Sequence, residues 1–80
     1  MTPSEMQNGL AVALRATRQR KGLSLRAVER RSGIYNMARI ESGEHAINVR
    51  TLVRLAVVLE CLPSDLFREA EGSQQLEIPF

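Results

Sequence analysis

Little in this chain of 80 residues could serve chemistry. It has one cysteine, one histidine, no tryptophan and three other aromatics, Tyr35, Phe67 and Phe80. A lone Cys61 cannot close an internal disulfide, which suits a reducing compartment. His45 and Cys61 lie far apart in the chain and make neither a catalytic triad nor a zinc ligand set. No glycine-rich phosphate loop is present. The expectation is therefore a non-enzyme, with no metal and no cofactor. No apolar run approaches membrane-spanning length and nothing at the N-terminus resembles a signal peptide, so a cytoplasmic location is expected.

What remains is aliphatic and basic. Hydrophobic residues make up 44% of the chain, as in an ordinary globular protein. Eighty residues fit one small domain near the lower limit for a single core, a size often helped by dimerisation. The formal charge is only +2, but it is unevenly placed. Residues 10–54 carry ten arginines and lysines against three glutamates, a surplus of +7; the rest carry one base against six acids, −5. A basic half suits a phosphate backbone, and an acidic end would be held away from it. The plainer reading is a set of arginines solvating helix faces.

The organising stretch runs from Gly22 to Gly43. Ser24 is an N-cap placed before an apolar-periodic run in which Leu25, Val28 and Ser32 share a face. Ser32-Gly33 supplies the stop. Ile34 leads into a second segment whose Met37 and Ile40 face one core, and Gly43 ends it. Two helices joined by so tight a turn leave the second projecting from the domain, the geometry that enters a DNA major groove.

The flanks read as three more helices. Thr2-Pro3-Ser4-Glu5 has the form of a capping box. Met6, Leu10, Ala13, Leu14 and Thr17 then line one face, with Gly9 weakening the early turns. Asn48 caps a fourth helix with a core stripe of Val49, Leu52, Leu55, Ala56 and Leu59. Val53, Val57 and Val58 extend apolarity beyond that stripe, which calls for a second partner. Pro63 opens a fifth helix reaching about Ala70, with Leu66 and Phe67 as buried anchors. The expected domain spans residues 1–71, with its motif at about 24–42. Residues 72–80 form a tail that is mobile or pairs as an extended segment with another chain.

In order, these residues resemble the Cro/C1-type helix-turn-helix family, also called XRE-like or lambda-repressor-like. The likeness runs through Leu10, Leu14, Arg15, Arg18, Gly22, Leu23 and Ser24, then Leu25-Arg26-Ala27-Val28 and Arg31-Ser32-Gly33-Ile34. It continues with Arg39-Ile40-Glu41 and Gly43, Thr51-Leu52-Val53-Arg54-Leu55-Ala56, and Leu62-Pro63-Ser64-Asp65-Leu66-Phe67. It covers about residues 10–67. Three departures stand out. Two residues common in the family are missing between Ile34 and Tyr35. Leu25 stands where a glutamine is usual, and Glu29 where the family commonly has alanine.

The resemblance implies an all-α, five-helix domain that binds an inverted-repeat DNA operator as a homodimer and regulates transcription. Arg39 would reach a base edge or phosphate, the other reading being an ion pair with Glu41 or Glu29. Tyr35 and Asn36 would open the recognition helix as base contacts; otherwise Tyr35 packs on helix 2 and Asn36 caps helix 3. Arg26, His45 and Arg50 are phosphate candidates, while Arg30 and Arg31 suit a solvated face. Glu41 would pair with Arg15 or Arg18. Val53, Val57, Val58, Cys61, Leu62 and Phe67 are candidates for the dimer interface, or else thicken a monomer core. The departures motivate an alternative: a module that binds a protein partner, a toxin or a repressor, with weakened DNA contact.

Overall fold

The computed structural model describes residues 2–73, and these form five helices: α1 Pro3–Arg20, α2 Leu25–Ser32, α3 Met37–Glu41, α4 Val49–Val58 and α5 Pro63–Ser73. No strand occurs among the described residues. Helix starts follow the side chains that cap them. Thr2 accepts a hydrogen bond from the Glu5 amide while Glu5 accepts from the Thr2 amide, the reciprocal box read from the sequence. Ser24 accepts from the Ala27 amide at 3.1 Å and Asn48 Oδ1 from the Thr51 amide at 2.8 Å. Helix α1 runs unbroken through Gly9, which is itself buried.

The core is one aliphatic cluster. Leu10, Ala13 and Leu14 of α1 meet Val28 of α2, Met37 and Ile40 of α3, Leu52, Leu55 and Ala56 of α4, and Leu66 and Ala70 of α5. Helix α1 packs along α5 and touches α3, while α2 packs on α3 and α4. A face of roughly 100° on each helix is enough to close such a bundle.

Two expected core residues lie outside it. Val49 is 74% exposed. It sits in the first turn of α4, where spacings of four group it with Val53 and Val57 on a stripe flanking the Leu52-Leu55-Ala56 face. Phe67 is 37% exposed. The anchors of α5 are Leu66 and Ala70, which lie one turn apart and leave Phe67 on the flank. Helix α5 also continues past Ala70, so Gly72 and Ser73 belong to it. The expected tail otherwise falls on residues 74–80, outside the described residues.

The α1–α5 contact carries a pair at its rim. Arg20 donates from Nη1 to Glu69 Oε1 at 2.8 Å and from Nη2 to Glu69 Oε2 at 2.9 Å. These bonds hold the Glu69 carboxyl below its ordinary range; partial burial opposes them, and the Arg20 charge and the Thr17 hydroxyl add to them. A lowered folded-state value contributes stability that is present above the unfolded value and lost as pH falls through the folded one. The stability gap between the parent and Glu69→Gln, read from thermal melts, should therefore be small at pH 7, about 0–1 kcal/mol for so exposed a pair. It should close as pH falls below about 4.5. A gap that persists at pH 2 would show that the pair's charge is not its source.

Candidate nucleic-acid interface

The turn between α2 and α3 is built from inside. Ser32 Oγ donates to the Val28 carbonyl at 2.6 Å and accepts from the Ile34 amide at 3.2 Å. Gly33 takes a left-handed conformation, φ 76°, and its amide closes on the Glu29 carbonyl at 2.8 Å. A side chain would be strained at that φ, which accounts for the glycine. Ile34 is buried and pins the middle of the turn. Helix α3 then begins at Met37 after only four connecting residues.

Glu29 explains how so short a turn is tolerated. Its Oε2 accepts from the Met37 amide at 3.3 Å, so the α2 carboxylate serves as the side-chain cap of α3. Asn36, at the cap position, makes no side-chain cap bond. The carboxylate also places negative charge at the positive end of α3. Glu29→Ala should cost about 1 kcal/mol, as loss of a cap does, and Glu29→Gln should recover most of it. Hydrogen exchange at the Met37 amide would show whether the loss is local to α3.

The far end of α3 is held by a charge pair. Glu41 receives Arg18 Nε at 2.8 Å and Nη2 at 3.0 Å, and Arg18 Nη1 donates to the Leu23 carbonyl at 2.8 Å. The two side chains are only 12% and 6% exposed. Of the two expected partners for Glu41, the structure thus selects Arg18. The Glu41 bond raises the Arg18 guanidinium pKa, against the opposing effect of burial.

With Glu29 and Glu41 engaged, Arg39 is left exposed and enters no ion pair among the described residues. Tyr35 is 72% exposed, so its ring does not pack on α2. Ala38 and Ser42 share the outward side of α3. Together with Arg15, Arg18, Leu25 and Glu41 they line an open hollow of about 210 Å³. This brings α1, the N-terminal turn of α2 and the outer face of α3 to one place. Arg26 follows Leu25 in that turn and is exposed. Arg15, exposed and in no ion pair among the described residues, joins the site, whereas its sequence position suggested only a partner for Glu41. Its membership in the basic half was the available signal. His45 and Arg50 are exposed beyond the C-terminal end of α3 and do not line the hollow.

The dimer candidates divide. Val53, Val57, Leu62 and Phe67 present apolar surface, Val57 being 71% exposed. Val58 and Cys61 are half-buried against the core, so part of each is spent within the monomer. Burial, with the Asp65 charge second, raises the Cys61 thiol pKa and keeps it protonated near neutrality.

No described helix is long and apolar enough to cross a membrane, and no group of three potential metal ligands occurs among the described residues. The braced α2–turn–α3 unit in a five-helix body defines an all-α helix-turn-helix domain. No protein-family model and no curated protein matches the chain. Two crystal structures of the clp gene regulator ClgR from Corynebacterium glutamicum are similar to it. One superposes with a TM-score of 0.85 at 27% identity, covering 90% of this chain and 79% of that one. The other gives 0.84 at 27% identity, covering 86% and 91%.

Proposed function

We propose that the protein is a DNA-binding transcription regulator of the Cro/C1 type that binds an inverted repeat as a homodimer, with α3 in the major groove. The observation that carries this reading is the outward side of α3. Arg39 is exposed there, and Tyr35 in the turn just before it, while the nearby acids, Glu29 and Glu41, are bound elsewhere. An unpaired guanidinium fork can donate twice to guanine O6 and N7. The likeness to a gene regulator supports the same class. Tyr35, Asn36 and Arg39 are proposed to read bases, and Arg26, His45 and Arg50 to hold phosphates. Val53, Val57, Leu62 and Phe67, with the remaining surface of Val58 and Cys61, are proposed to meet a second copy.

Selection of bound fragments from random DNA, followed by fluorescence anisotropy at several salt concentrations, tests the reading. Arg39→Ala should lose about 5- to 150-fold on the selected site, equivalent to about 1–3 kcal/mol, and little on random DNA. Arg26→Ala should weaken both alike and flatten the salt slope by about one. Equal losses on both DNAs for Arg39→Ala would remove its base-reading role.

The exposed valine stripe of α4 favours a second reading, a module for a protein partner such as a toxin or another repressor. Weak binding to DNA with little salt dependence would select it over the first.

A further inference from the structure

Beside the valine stripe lies an open groove of about 290 Å³ between the start of α1, the 46–49 segment and α5. Met6, Leu10, Ile47, Val49, Leu52 and Phe67 supply its apolar walls, and no charged side chain lines it among the described residues. Its two amide side chains are already engaged. Gln7 Nε2 donates to the Gly43 carbonyl at 3.0 Å, and Asn48 Oδ1 caps α4. Specific small-molecule sites need a few well-placed polar groups to orient the ligand. This groove has few to spare and suits an apolar peptide.

The chain supplies one. Residues 74–80 read Gln-Gln-Leu-Glu-Ile-Pro-Phe, in which Leu76, Ile78 and Phe80 alternate with Glu77 and Pro79. In an extended segment the three apolar side chains fall on one side and Glu77 on the other. The reach also fits. Phe67 lies six residues before Ser73, about 9 Å of helix. Three extended residues span about 10 Å, so Leu76 can return to the level of Phe67, with Ile78 and Phe80 following about 7 and 13 Å further on. A segment tethered this closely meets its own groove at millimolar effective concentration, well above that of another copy's tail in dilute solution.

We propose that residues 76–80 dock back on their own domain, seating Leu76, Ile78 and Phe80 in the groove between α1, the start of α4 and Phe67. The docked segment covers Val49 and the groove-facing part of Phe67, the two expected core residues that the bundle leaves exposed, keeps Val53, Val57, Leu62 and the outer edge of Phe67 for the second copy, and leaves Glu77 facing solvent.

Methyl-resolved NMR of the full chain tests this. Cross-relaxation peaks are expected between Leu76 or Ile78 methyls and Met6, Val49 or Phe67, with intensities relative to core cross-peaks unchanged on tenfold dilution. In the full-length triple variant Leu76→Ser/Ile78→Ser/Phe80→Ser these peaks should vanish. The Val49 and Met6 methyl shifts should then move while the buried Leu55 methyls stay in place. Val49→Asp, at an exposed position, should release the tail from the other side with the fold intact. Unchanged groove shifts in the triple variant would overturn the proposal, as would contacts from the tail to Val53 and Val57 instead. Contacts that fade on dilution would assign the tail to a second copy and overturn docking in cis.

Discussion

Glu41→Ala is expected to destabilise the protein by about 3–5 kcal/mol, the cost of leaving a buried charge without its partner. The Arg18 guanidinium would keep only the Leu23 carbonyl, with two of its three bonds gone. Domains of this size shift by about 4–8 °C in thermal midpoint per kcal/mol. Against a total stability of about 5–15 kcal/mol, that loss removes roughly a fifth to all of the margin, so the thermal midpoint should fall far. Arg18→Met combined with Glu41→Leu should be markedly more stable than Glu41→Ala, because it removes both charges together and fills the space. Thermal melts of the parent and these variants make the comparison. A double variant no better than Glu41→Ala would mean that the pair matters through its shape and not through an orphaned charge.

Leu14→Ala should cost about 2–5 kcal/mol. Leu14 is fully buried at the centre of α1, in a cluster to which all five helices contribute. No single neighbour can collapse into the space, so the loss combines transfer energy with a residual cavity. Val12→Ala, two residues away on the solvent side of the same helix, is the control and should stay within about 0.5 kcal/mol. Chemical denaturation should show the difference as a lowered midpoint at unchanged slope. A similar cost at both positions would contradict the assignment of the α1 core face.

The structure gives the three departures from the Cro/C1-type pattern that the sequence resembles a common physical setting. The turn is short, so the N-terminus of α3 comes within reach of α2. A carboxylate from α2 then caps it where a small residue would leave the Met37 amide unmet. Leu25, unable to bond a base, is half-buried and packs on the core at the edge of the hollow. The pattern is consistent with an α3 seated by its neighbours, since a helix of five residues has little stability of its own.

Much of the fold was legible because it is set locally. The caps at Thr2, Ser24 and Asn48 each bond an amide three residues ahead, and the left-handed turn at Gly33 is a property of one residue. Helical period alone placed Leu10, Leu14, Leu52 and Leu55 inside. Tertiary packing decided the rest. Whether Val49 and Phe67 are covered depends on which helix lies beside them, and period cannot supply that. Glu41 chose Arg18 over Arg15 across 23 residues, Glu29 reached Met37 across eight, and Arg20 met Glu69 across 49. Such pairings depend on how the helices cross, and those crossings left Arg39 exposed on α3 and Tyr35 exposed in the turn before it.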